Sequence, residues 1–220
     1  MKKNNETSGM MAAPFALGLL ALLVAGCSGT PTRYYTLAET APAPAAAAPA
    51  AATPLAIELA PVAMPERFVR PQLVVRQAAA QKEAQAELEV LEQSRWSSSF
   101  ENELRDALAA GIATRLSAFD ATKVGRPRGL PVYRIAVQLN QFDAQPGSRV
   151  DSAFGWSVRL ADGDALLTCQ LQLGEPVSGG MDGVALGAQR ITARMAEEIA
   201  RNVAALAAGR QAQCPGRTPA

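Results

Sequence analysis

Tyr133-Arg134-Ile135-Ala136-Val137-Gln138-Leu139-Asn140 decides the fold class of this 220-residue chain. Tyr133, Ile135, Val137 and Leu139 alternate with Arg134, Ala136, Gln138 and Asn140. A period of two places one set on one face of a strand and the other set on the opposite face. Pro146-Gly147 turns the chain. Val150, Phe154, Trp156, Val158 and Leu160 then continue the pattern on even positions, and Phe154 and Trp156 read as core. Asp162-Gly163 is a hairpin signal, after which Leu167, Cys169, Leu171 and Leu173 return on odd positions. Together these runs describe an antiparallel meander of three long strands.

The segments flanking the meander change period. Phe100, Leu104, Leu108, Ile112 and Leu116 recur every four residues, and Ala107 and Gly111 widen the apolar face. Ser98 and Glu101 have the spacing of a capping box. Gly111 costs helix stability and marks close packing. Ile191, Met195, Ile199, Val203 and Leu206 form a second apolar face. Glu197 and Arg201 are spaced to pair on that helix, and Gly209 is a terminator. The expected helices cover residues 97–119 and 184–208. The fold class is α/β: a single domain with a mixed, largely antiparallel sheet and two long flanking helices.

Upstream the patterns are shorter. Leu55 to Leu59 alternates as a strand and ends before Pro61. Leu73-Val74-Val75-Arg76 and Leu88, Val90 and Leu91 read as short strands. Residues 77–86, made of Ala, Gln, Lys and Glu, suit a helix or an exposed loop. Residues 38–54 are nearly all Ala, Pro and Thr, an extended spacer that reaches about 50 Å at ~3.1 Å per residue. Before it, Arg33-Tyr34-Tyr35-Thr36-Leu37 has β character. If this segment is loose, Cys27 to Pro54 forms one long tether. If it pairs into the sheet, the Ala/Pro stretch is a surface excursion and the domain sits close to the membrane.

The N-terminus reads as a secretory signal. Lys2 and Lys3 precede an uncharged run from Met10 to Val24, with small residues at its end. The run is short for a spanning helix and is interrupted by Pro14. Val24-Ala25-Gly26-Cys27 resembles the lipobox of bacterial lipoproteins. That resemblance implies cleavage before Cys27 and acylation of its thiol and new amine, with about three chains in all. Each buried methylene contributes roughly 0.8 kcal/mol, so release becomes negligible. Ser28 replaces the Asp that retains such proteins at the inner membrane, which implies the outer membrane, lipid-anchored and facing the periplasm. The expected organisation is a signal peptide (1–26), a lipidated tether (27–32), a domain (33–210) carrying the 38–54 spacer, and a disordered tail (211–220).

Charge and composition exclude several functions. Lys and Arg number 21 and Asp and Glu 20, and loss of Lys2, Lys3 and Glu6 with the signal leaves a neutral chain. Such a chain has no electrostatic reason to gather nucleic acid. Histidine is absent, which removes Ser-His-Asp and Cys-His catalysis and His-based zinc sites. Cys169 and Cys214 remain in an oxidising compartment, where they either form a disulfide or stay as a buried thiol and a free tail thiol. Asp162, Gly163 and Asp164 fall short of a calcium loop. Glu101 and Glu103 are two apart and point to different faces of their helix. Ser178-Gly179-Gly180 is no nucleophile elbow. No catalytic, metal or cofactor residues are assigned.

Tyr34-Tyr35-Thr36-Leu37, Arg70-Pro71-Gln72-Leu73-Val74-Val75 and Arg95-Trp96 resemble the ABC-type transport auxiliary lipoproteins, the PqiC (YmbA) family. The resemblance covers residues 33–208. It implies a non-enzymatic subunit serving an MCE-type transporter that moves lipid between two membranes. Expected partners are the outer membrane through the acyl chains, an MCE-domain periplasmic protein with its inner-membrane permease, and further copies of the chain in a ring. It also favours pairing of Tyr34-Tyr35 into the sheet. Where the family's Trp precedes an Ala-Glu-Pro-like stretch, this chain has Ser97-Ser98-Ser99. Arg70, Pro71, Gln72, Arg95 and Trp96 are candidate interface residues, with strand entrance for the first three and a helix-start residue packed on the sheet for Trp96 as the structural alternatives. A general envelope scaffold and a carboxylate-based hydrolase are the competing functions.

Overall fold

The structure, a computed structural model, describes residues 30–38, 54–76, 87–163 and 166–216. The signal, Cys27, Ser28, most of the Ala/Pro spacer and residues 77–86 lie outside the described residues. One compact unit spans Thr32–Ala220. Its strands are β1 (Arg33–Tyr35), β2 (Ala56–Leu59), β3 (Gln72–Arg76), β4 (Leu88–Trp96), β5 (Phe119–Asp120), β6 (Val132–Gln145), β7 (Arg149–Leu160) and β8 (Leu166–Pro176). Its helices are α1 (Phe100–Leu116) and α2 (Met181–Ala207).

The expected meander is present as β6-β7-β8, antiparallel throughout. Odd residues of β6 are buried through Leu139, then a bulge at Asn140 moves burial to Ala144. One extra residue shifts the pleat by one, as a bulge must. β2 joins the free side of β6 in parallel and β5 joins β2, giving the order β5-β2-β6-β7-β8. The helices cover one face of this sheet. On the other face, Ala136, Gln138, Thr168, Gln170 and Gln172 are exposed.

The strands form two sheets where one was expected. β1, β4 and β3 make a separate three-stranded sheet. β4 is also longer than its short apolar signature suggested, and Trp96 ends it instead of opening the helix. An aromatic cluster joins the two sheets. Trp96 stacks on Phe100 at 5.1 Å, Phe100 meets Phe142 of β6 at 5.0 Å, and Phe68 meets Phe142 edge-on at 5.9 Å. Arg76 of β3 adds a two-pronged bond to Asp143 of β6, with Nε 3.0 and 2.9 Å from the carboxylate oxygens.

α1 is shorter than 97–119, and α2 starts three residues earlier than 184. The cap of α1 is Ser99, whose hydroxyl accepts from the Asn102 amide, so Ser98 and Glu101 do not form the capping box. The helices pack closely through small residues. A Cβ on Gly111 would lie 3.0 Å from Ala196 Cβ. Arg201 bonds Glu198, one turn back, and not Glu197. Gly209 follows α2 at φ 65°, a conformation that glycine adopts without a Cβ penalty. Residues 211–216, expected as part of a disordered tail, return to the sheet. Cys214 is bonded to Cys169 of β8, and the Asn202 amide donates to Gln213 O at 2.9 Å.

Candidate anchoring and docking surfaces

β1 is short, and its place is set by side chains more than by strand length. It pairs in parallel with the end of β4, matching Arg33 with Ser94 and Tyr35 with Trp96. The next two residues reach a carboxylate on α1. Glu103 Oε2 accepts from the Thr36 hydroxyl and from the Leu37 amide, each at 2.9 Å. Its Oε1 accepts from the hydroxyls of Ser97 and Ser98. Glu103 is 9% exposed and Leu37 1%. A charge so shielded is tolerable only because four donors surround it. The three consecutive serines therefore have distinct jobs: Ser97 and Ser98 solvate Glu103, and Ser99 caps α1.

α2 holds β1 from the other side. Asp182, in the first turn of α2, accepts from the Tyr35 hydroxyl at 2.9 Å and pairs with Arg33 at 3.4 Å. Burial raises the Tyr35 pKa, and the bond to Asp182 and its charge add to the rise. Further along the helix, Gln189 donates to the carbonyl of Thr36 at 2.7 Å. Two open grooves flank this seam. One, of about 410 Å³, runs along α1 past Glu103, Asp106, Ala107, Gly111 and Thr114. The other, of about 340 Å³, lies between β1 and α2 and is lined by Tyr34, Ala185, Leu186 and Gln189.

The structure brings most of the candidate interface residues together. Gln72 is the register partner of Arg95, Trp96 N donates to Pro71 O at 2.7 Å, and Phe100 N donates to Arg70 O at 3.2 Å. Arg95 and Gln72 both reach Glu92. Their common work is to start β3 against the end of β4. Trp96 is 2% exposed, so its ring is spent in the chain's own core and is not available to a partner. Arg70 Nε is shielded from solvent and has no hydrogen-bond partner among the described residues.

The remaining positions are structural. Trp156 is buried and donates its indole N–H to Asn202 Oδ1 at 2.9 Å. Asp162 sits in the β7–β8 turn. Among the described residues no three His, Cys, Asp or Glu side chains are grouped to hold a metal ion, and no helix is long and apolar enough to cross a membrane. Sequence reasoning missed Glu103, Asp182, Gln189 and Asn202, whose bonds cross the fold. The signal of Glu103 was a lone acid on the apolar side of α1, four residues beyond Ser99.

The fold resembles solved structures at low identity. A crystal structure of an uncharacterized protein matches with TM-score 0.60 at 18% identity, over 79% of this chain and 99% of the other. A Xanthomonas campestris protein of the DUF330 family matches with TM-score 0.57 at 13% identity, over 77% and 93%. No curated protein matches the sequence. The family model described as the ABC-type transport auxiliary lipoprotein component matches residues 35–200, a span that runs from the Tyr35 of β1 through the meander and most of α2. The chain belongs to the ABC-type transport auxiliary lipoprotein family.

Proposed function

We propose that the chain is a non-enzymatic outer-membrane subunit of an MCE-type intermembrane lipid transport system. Cys27 carries the acyl anchor, Ser28 directs it to the outer membrane, and copies of the folded body form a ring that docks the periplasmic tube. The observation that carries this reading is the seating of β1. Arg33 is six residues beyond Cys27, and those residues extend to no more than about 20 Å. The latch at Glu103 then fixes the following residues to α1. A body held on so short a link stays within reach of the membrane surface and does not search the periplasm freely.

The work of such a subunit is geometric. Its surface offers an open groove along α1 lined largely by Thr36, Ala38, Ala107, Ala110, Gly111 and Thr114, a shape that suits docking. Pull-down of the acylated protein from detergent-solubilised envelopes tests the reading. Recovery of an MCE-domain protein with its permease is expected. Repeated recovery of the lipoprotein without them overturns the transport assignment.

A further inference from the structure

We propose that the groove between β1 and the first turns of α2 seats on the lipid surface that carries the anchor, with Tyr34 and Leu186 as its apolar contacts. This rests on the acylation of Cys27 proposed above. Tyr34 is 67% exposed and Leu186 53%, and both line the same groove of about 340 Å³. Both are large apolar side chains open to solvent, and the bonds of Asp182 to Tyr35 and Arg33 hold the strand against the helix beside them.

The direction of β1 locates the corner. Arg33 and Tyr35 meet Asp182, whereas the carbonyls of Thr36 and Ala38 meet Gln189, two turns further along α2. The chain therefore enters the folded body at the end where α2 begins. α1 starts on that side as well, since Gly111 lies against Ala196 and Thr36 bridges Glu103 and Gln189. The turn at residues 146–148 belongs to the same end, because Gly147 approaches the carbonyl of Gly179 just before α2.

The length of chain selects a membrane as the occupant. Tyr34 is seven residues from Cys27, so an extended connection of about 25 Å at most separates them. Short links of this kind impose local concentrations on the order of millimolar, so even a weak contact with the bilayer is occupied. The chemistry agrees: a tyrosine ring prefers the boundary between acyl chains and headgroups, with its hydroxyl in the wet layer. Leu186 beside it supplies purely apolar area.

The test uses the full acylated chain in vesicles of phosphatidylethanolamine and phosphatidylglycerol. Tyr34→Trp introduces a reporter, while Trp96 and Trp156 are buried and give a constant background. Brominated acyl chains are expected to quench the added emission, and Leu186→Ser is expected to reduce that quenching without changing vesicle flotation. Flotation with the reporter unquenched and accessible to water overturns the contact and leaves the anchor intact. A reporter unquenched by lipid but shielded from iodide also overturns it, and gives the groove to a protein. Failure of flotation and of acyl labelling removes the anchor and the contact together.

Discussion

Glu103 Oε2 lies 2.9 Å from the Thr36 hydroxyl, across 67 residues of sequence, and this bond joins the first turn of α1 to the strand nearest Cys27. The same oxygen accepts from the Leu37 amide, so one carboxylate closes both the end of β1 and the start of the spacer. Pull from the N-terminal side meets the pairing of β1 with β4 and the bonds to Asp182 first, and this carboxylate holds the residues that follow.

Glu103→Ala is expected to destabilise the domain by about 2–4 kcal/mol, because the Leu37 amide and the Thr36 and Ser97 hydroxyls lose their acceptor in a shielded site. Thr36→Val removes one donor and is expected to cost about 1 kcal/mol. Urea denaturation measures both. Hydrogen exchange at the Leu37 amide distinguishes local release of β1 from global loss. Unchanged protection in Glu103→Ala would rule out the latch.

The Cys169–Cys214 bond closes a loop with a sequence separation of 45. Chain-entropy arguments assign such a loop about 4 kcal/mol. Cys214→Ser is expected to lower stability by about 2–4 kcal/mol and to free residues 211–216 for proteolysis. Melting of the oxidised protein with and without reductant is the comparison, and equal melting points would contradict the expectation.

Asn202 is buried between two partners, accepting from Trp156 Nε1 and donating to Gln213 O, each at 2.9 Å. Asn202→Ala strands the indole N–H in the core and is expected to cost about 1–3 kcal/mol. The paired change Asn202→Leu with Trp156→Phe removes donor and acceptor together and is expected to recover part of the loss. A double-mutant cycle in urea reads the coupling.

Gly187 packs where a Cβ would lie 2.5 Å from Val177 Cγ1 and 3.2 Å from Val150 Cγ2. Alanine gains about 1 kcal/mol of helix propensity there. The overlap falls on two buried, β-branched side chains and costs about 1–3 kcal/mol, so Gly187→Ala is expected to be net destabilising. Equilibrium denaturation of the variant decides the sign.

Glu58 of β2 is held below its ordinary carboxylate pKa, chiefly by the hydrogen bond from Arg126 Nε at 2.6 Å, opposed by partial burial and aided by the charge of Arg134. A carboxylate whose pKa falls on folding adds stability above its unfolded value and loses it as pH drops through the folded one. Stability is therefore expected to decline below about pH 4, more steeply in the native protein than in Glu58→Gln. The pair is partly exposed, so added salt is expected to shrink the difference. Urea midpoints measured across the acid range test it.

The meander and both helices were legible because their signals are local. Alternation at Tyr133 to Leu139 and the four-residue recurrence from Phe100 to Leu116 depend only on which face of one element is apolar. Errors gathered where periodicity is short. Three consecutive serines offer three possible caps, and only the geometry of the Asn102 amide selected Ser99. Trp96 read as a helix-opening residue because its sequence neighbours Ser97 to Phe100 are helical or capping, whereas its backbone pairs with Tyr35 and Pro71.

By itself the sequence determined the class of fold, the long strands, the apolar faces of the helices, the resemblance to the transport auxiliary family and the candidate anchor at Cys27. The tertiary structure decided that the strands divide into two sheets, that Tyr34-Tyr35 belongs to the smaller one, that Trp96 is core, and that Glu103 fastens β1. The reason is physical. A three-residue strand carries too little pattern to announce its partner, and a buried carboxylate is stable only where donors from distant segments converge, which no local stretch of sequence records.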